Sequence, residues 1–118
     1  MLPYRRADRV AEAIQREVCD LLLKGKVKDP RVGMVTITGV KLTDDLRDAT
    51  VGFSTLGTAE EHKKTGEGLN HASGFLRGEI ARSLNLRVAP KMRFVFDKTY
   101  EQAGRLAEVF AKIRKESA

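Results

Sequence analysis

No tryptophan occurs among the 118 residues, and aromatic residues of all kinds make up 6% of them, so base recognition on an exposed aromatic platform is not expected. Cysteine occurs once, as Cys19, which excludes an internal disulfide. That residue falls off the apolar stripe of its segment and is flanked by Asp20 rather than by bases, so an inert thiol is expected. The only histidines, His62 and His71, lack a second ligand at metal-binding spacing. The chain carries no nucleophile elbow and no phosphate-cradling loop. No catalytic residue, metal, cofactor or small-molecule substrate is therefore expected. Long hydrophobic runs are missing too. Nothing approaches a membrane span or the apolar core of a secretory signal, so a soluble, cytoplasmic protein with no membrane partner is expected.

Repeats, low-complexity segments and linkers are also lacking, and residues 1–118 read as one domain. A chain of this length buries roughly 60–70% of the surface its unfolded form exposes, enough for a self-sufficient core. What the chain has in surplus is positive charge. Lys and Arg number 22 against 16 Asp and Glu, giving a net charge of +6 and a pI near 9.7, which points to a polyanionic partner or surface without choosing between RNA, DNA and membrane.

The apolar positions then give the elements. Ala7, Val10, Ala11, Ile14, Val18, Leu21 and Leu22 stripe one face of a helix spanning residues 5–24, with Gly25 as its C-cap. Asp29-Pro30-Arg31 cannot continue it, because proline disfavours helix in the residue before it. Residues 34–42 are rich in β-branched side chains, but the apolar parity slips from Val35 and Ile37 to Val40 and Leu42. A β-bulge at Gly39 restores all four to one face. Residues 49–55 alternate cleanly, and with Thr43-Asp44-Asp45 as the turn the two runs predict an antiparallel hairpin. A third strand is predicted over residues 91–97, with Met92, Phe94 and Phe96 inward and Lys91 and Arg93 outward. A final helix is striped by Ala103, Leu106, Val109, Phe110 and Ile113.

Between the second and third strands, residues 59–85 carry a helical rhythm that runs through Ala72-Ser73-Gly74. Glycine costs about 1 kcal/mol relative to alanine inside a helix, and Ser-Gly pairs are kink sites, so two helices joined by a sharp kink are expected. Gly74 there serves either close approach of a nucleic-acid backbone or close packing of the second helix on the sheet, in both cases with special backbone angles or crowding that alanine would not tolerate. Arg77 sits at the border of the apolar stripe, its stem over the core and its head reaching either water or phosphate. Arg82 lies on the opposite face. Arg87, Lys91 and Arg93 crowd one short stretch without a neighbouring acid. Together with Arg5 and Arg6 at the start of the chain, Ala72, Ser73, Gly74, Arg77, Arg82, Arg87, Lys91 and Arg93 form the candidate RNA-binding set, with contacts mainly to phosphate and sugar.

This series resembles the ribosome-binding factor A family of bacterial small-subunit assembly factors over nearly the whole chain. The resemblance rests on Arg9-Val10 and Glu17, Asp29-Pro30-Arg31, Val35-Thr36-Ile37-Thr38 with Val40, and Asp45-Leu46 with Ala49 and Val51. It continues through Ala72-Ser73-Gly74-Phe75-Leu76-Arg77, Leu86-Arg87 with Pro90, and Phe94 with Asp97. It implies an α+β, type-II KH-like domain: a three-stranded mixed sheet with helices on one face, a kinked helix pair before the third strand and an extra C-terminal helix. Ala72-Ser73-Gly74 stands where ordinary KH domains carry Gly-x-x-Gly, which occurs nowhere in this sequence. Shape recognition of folded RNA is expected there instead of the four-nucleotide clamp. Lys91-Met92 departs from the acidic residue and leucine that the family commonly has after the proline. The resemblance further implies a monomer that binds the free, immature small ribosomal subunit and its rRNA. It would promote late maturation and 5′-end processing without catalysis, with a KH-like RNA- or DNA-binding regulator of another target as the alternative.

Overall fold

Ala7, Ala11, Ile14, Val18 and Leu21 recur every three or four residues, and in the computed structural model they are the buried face of α1 (Arg6–Leu23). The structure describes residues 5–99. Gly25 ends α1 with φ +67, and the N–H groups of Lys26 and Gly25 donate to the Leu21 and Leu22 carbonyls at 3.0 and 3.1 Å. This is a Schellman cap, and its left-handed residue is the reason for glycine. Cys19, read as lying off the stripe, is half-buried against the core, and burial pushes its thiol pKa up.

Strands β1 (Thr36–Leu42) and β2 (Asp48–Ser54) pair antiparallel, and β3 (Lys91–Phe96) pairs parallel to β2, giving a mixed sheet of order β1-β2-β3. The ladder steps from Ile37↔Phe53 to Gly39↔Gly52, so the extra residue of the expected bulge is Thr38. Its hydroxyl donates to the Asp97 carboxylate at 2.8 Å. Ile37, Ala49, Val51, Phe53, Met92 and Phe94 thereby all face the helices, as the parity predicted. The first strand begins two residues later than the apolar run, at Thr36. The Met34 carbonyl accepts from the Thr55 hydroxyl at 2.8 Å instead of from a ladder partner, and the Met34 side chain is 94% exposed.

Parallel pairing of β2 and β3 needs a crossover, which α2 (Ala59–His71) and α3 (Ser73–Ser83) supply. Thr58 caps α2 by accepting from the Glu61 N–H at 3.2 Å. Asn85, with φ 53, closes α3, and the Leu86 N–H donates back to the Ala81 carbonyl at 2.9 Å. Ile14, Val18, Val51, Leu69, Leu76 and Ile80 are fully buried where the three helices meet one face of the sheet. Each such side chain contributes about 1.5–3 kcal/mol. The final helix expected around Ala103 to Ile113 lies outside the described residues.

A half-buried carboxylate fixes the loop after α1. Asp29, whose side chain is 10% exposed, accepts from the Arg31 N–H, Nε and Nη2 at 2.9, 2.9 and 2.7 Å, with His71 Nδ1 at 3.4 Å. The Arg31 guanidinium and backbone amide hold the Asp29 carboxyl well below the usual carboxylate range. The loop presses on α2 at Gly68, where a Cβ would stand 2.9 Å from Val32 Cγ2 and 3.0 Å from Arg31 Cβ. Gly68 is thus required by close approach, although glycine weakens a helix by propensity.

Two outcomes are expected. Gly68→Ala should lower stability by about 1–3 kcal/mol in urea unfolding, the cost of overpacking a fixed contact. For Asp29 the folded-state pKa is depressed, so its contribution is present above the unfolded value near 3.8 and is lost as pH falls through the folded value. Asp29→Asn should therefore be less stable than the parent at neutral pH, and the gap should narrow as unfolding is measured below about pH 4.

Candidate nucleic-acid interface

The break between α2 and α3 lies at Ala72, with φ −81 and ψ −2. These are right-handed values, and the Ala72 N–H still donates to Gly68 while its carbonyl accepts from Leu76, both at 3.0 Å. The Ser73 hydroxyl donates to the Asn70 carbonyl at 2.7 Å, a side-chain bond that competes with the helical ladder and bends it. Two expectations for Gly74 are thereby corrected. It has no positive φ, and a Cβ built on it would meet nothing within 4 Å, so neither special angles nor packing on the sheet requires glycine. The nearest atom to a Cβ on Gly78 is Arg82 Nη1 at 4.0 Å, so no close packing requires glycine there either. Ala72 and Ser73 are half-buried, whereas Gly74 is exposed.

What holds the kink in place is a residue the sequence reading passed over. The Asn70 side-chain amide accepts from the Phe94 N–H at 2.9 Å and donates to the Phe94 carbonyl at 3.3 Å, pairing with β3 as a neighbouring strand would. No periodicity signals such a contact.

The candidate cations divide. Arg6, Arg77, Arg87 and Lys91 line one cleft of about 600 Å³, joined by Arg47, which the sequence reading did not single out. The cleft forms where the start of α1, the β1–β2 turn, the loop after α3 and the start of β3 converge. The Lys91 N–H donates to the Arg47 carbonyl at 2.8 Å, which sets these two residues side by side. Hairpin arithmetic could have found Arg47, since the residue closing the turn lies beside the strand that pairs with β2. Leu46 turns the chain with φ 63, and Asp45 braces it by accepting from the Thr43 hydroxyl and the Arg47 N–H at 2.6 and 3.1 Å. These bonds hold the Asp45 carboxyl below its ordinary pKa. Five cations face two carboxylates, Asp45 and Asp48, in this cleft, so its field is positive.

Arg77 reaches the cleft half-buried, with Nε donating to the Ala89 carbonyl at 3.0 Å, so one edge of its guanidinium is structural and its direction is set. The other candidates stand elsewhere. Arg5 pairs with Asp44 at 2.9 Å. Arg82 pairs with Glu79 on the exposed flank of α3. Arg93 projects from the outer face of the sheet, opposite Thr50 in the ladder. The crowding of Arg87, Lys91 and Arg93 in sequence therefore becomes a pair in space, because strand alternation and the cleft's position at the strand's start separate Arg93. Among the described residues no three His, Cys, Asp or Glu are grouped to hold a metal ion, and no helix is long and apolar enough to cross a membrane.

Residues 6–110 match the model of the family described as ribosome-binding factor A. The chain belongs to the ribosome-binding factor A family. The member from Geobacter metallireducens is 46% identical over 113 residues, covering 96% of this chain and 95% of that protein. The member from Nitrosomonas europaea is 45% identical over 106 residues, covering 90% of each. Among solved structures, a Thermotoga maritima protein named as a candidate ribosome-binding factor A superposes with a TM-score of 0.71 at 42% identity, over 80% of this chain and 90% of that one. The Thermus thermophilus ribosome-binding factor A crystal structure gives 0.64 at 20% identity, over 75% and 93%, a likeness of fold. The fold is KH-like, and the α-β-β-α-α-β order, three-stranded mixed sheet and kinked helix pair are those the resemblance implied.

Since Gly74 stands in open space with helical angles, Gly74→Ala should raise the denaturant midpoint, by up to about 1 kcal/mol of helix propensity. A fall in stability would show that backbone strain at Gly74 makes the kink.

Proposed function

We propose that this chain binds the immature small ribosomal subunit and its rRNA through the basic cleft and the adjoining kink, and promotes late maturation and 5′-end processing without catalysis. The observation that carries this is the cleft itself. Arg6, Arg47, Arg77, Arg87 and Lys91 come from separate stretches of sequence and converge on one concave surface, as phosphate-backbone recognition requires. A related Thermus thermophilus factor has been fitted into a map of its complex with the 30S subunit, and its fold matches this one with a TM-score of 0.65. That likeness, at 20% identity, supports the reading through the fold alone.

The mechanism is differential binding. A protein shifts an RNA equilibrium only by the difference in its affinity for the two conformations, and a tenfold shift needs about 1.4 kcal/mol. Arg77, its direction set by the Ala89 carbonyl, supplies such a difference when only the late conformation brings a phosphate to it. Gly74 leaves open space on α3 beside this surface, where folded RNA is recognised by shape rather than by the four-nucleotide clamp of other KH domains. No cofactor takes part in this scheme. The protein acts in the cytoplasm as a monomer and leaves before translation begins.

Sedimentation of a cell lysate tests the reading: the protein should migrate with free small subunits and be absent from polysomes. A regulator with another RNA or DNA target would not follow the subunit. Replacing Arg87 and Lys91 together by Gln should weaken subunit binding and reduce the slope of log affinity against log salt by about two, with the melting temperature nearly unchanged. An unchanged slope would remove the cleft from the interface. Arg77→Gln should lower both affinity and stability, because it also breaks the bond to Ala89.

A further inference from the structure

Phe75 is 46% exposed, although it sits in the first turn of a helix whose Leu76 and Ile80 are fully buried. An apolar ring in water needs a reason, and its neighbours suggest one. Residues 75, 78 and 82 fall at i, i+3 and i+7, on one flank of α3. Gly78 has no side chain, and the Arg82 guanidinium folds back over it, with Nη1 4.0 Å from where its Cβ would stand. Glu79 pairs with Arg82 and holds it there. Phe75 and Arg82 stand seven residues, roughly 10 Å, apart along the axis, with the guanidinium folded back toward the bare backbone at Gly78.

We propose that Phe75 and Arg82 form a slot on the exposed flank of α3 that takes one unpaired RNA base, stacked on the Phe75 ring and covered by the Arg82 guanidinium above Gly78. The inference rests on the RNA-binding function proposed above and adds to it a site on a different flank of α3 from the one that sends Arg77 into the cleft. A base fits better than a protein partner for two reasons. Among the described residues of α3 no other large apolar side chain is exposed, so the surrounding apolar area that a protein hot spot needs is missing. A lone aromatic beside a guanidinium, on a chain of net charge +6, matches the way unstacked RNA bases are held between rings and arginine planes. One correctly placed ring provides this despite the 6% aromatic content. The slot would also make the kink part of recognition, since the bend at Ala72 sets the direction of the first turn of α3.

The absence of tryptophan supplies the test, because Phe75→Trp introduces a single indole. When full-length Phe75→Trp protein is titrated with purified small ribosomal subunits, its emission should be largely quenched by stacking. Phe75→Leu should bind subunits about tenfold more weakly than the parent, at unchanged melting temperature and salt slope, since stacking releases no counterions. Phe75→Tyr should bind as the parent does. An indole left unquenched in a complex that co-sedimentation shows to be saturated overturns the slot, as does a leucine variant of full affinity. A blue shift without quenching overturns it too and assigns Phe75 to a protein contact. The same titration with polyadenylate separates this inference from the one beneath it. Quenching by polyadenylate with no binding to subunits keeps the base slot and removes the ribosomal function, whereas quenching by neither removes the slot, and removes the ribosomal function with it only where co-sedimentation shows no binding to subunits.

Discussion

The grip of the Asn70 amide on the main chain of Phe94 is the contact on which the geometry of the interface depends. A free edge of a sheet offers N–H and C=O groups to any strand that comes near, and here one side chain takes both groups at a single residue. The last turn of α2 is thereby tied to β3, and Ala72 follows two residues later. On its other side the same turn is held by the Asp29 loop through Gly68 and His71. The kink is therefore fixed from the sheet and from the loop, and its bend needs no unusual backbone angle.

With β3 positioned, the electrostatics follow. The start of β3 lies against the end of the β1–β2 turn, so the residues that meet there, Lys91 and Arg47, are joined through their backbones rather than attracted to one another. Like charges brought together in this way repel, and the fold sustains the arrangement because the heads remain in solvent while the backbone bond is short and shielded. Such enforced proximity is what marks the cleft as a candidate binding surface. Arg5 with Asp44 and Lys24 with Asp20 show the other outcome, in which each charge has found a partner.

Most of the fold was legible because it is written in periodicities. The stripe of α1, the parity slip around Thr38, and the inward Met92, Phe94 and Phe96 all report burial on one face, and burial is what a single chain records most strongly. Thr58 and Asn85 were legible in principle as cap residues, one just before the helical rhythm and one at its end. The kink was placed within two residues, yet its cause was misread. Glycine propensity pointed to Gly74, whereas the hydroxyl of Ser73 and the amide of Asn70 do the bending and the holding. Of the candidate cleft, Arg6, Arg77, Arg87 and Lys91 were singled out in the sequence and the residue from the hairpin, Arg47, was not. Finding it needed hairpin arithmetic carried across the two-helix crossover to the strand that pairs with β2.

The cleft and the kink differ in how much freedom they retain. Arg77 is already tethered through Nε to the Ala89 carbonyl, so a phosphate that meets its remaining nitrogens immobilises little further, while Arg87 and Lys91 must still be ordered on binding. A tethered arginine is selective for position. Long, untethered side chains follow a phosphate over several ångströms and supply attraction with little geometric demand. Under the proposed function, preference for one RNA conformation over another would therefore rest on the rigid members of the surface, Arg77 and the backbone about Ala72 to Gly74. The flexible cations would set the overall strength and its dependence on salt. In an assembly factor these two properties must be separable, because attraction alone would hold early and late conformations alike and shift neither.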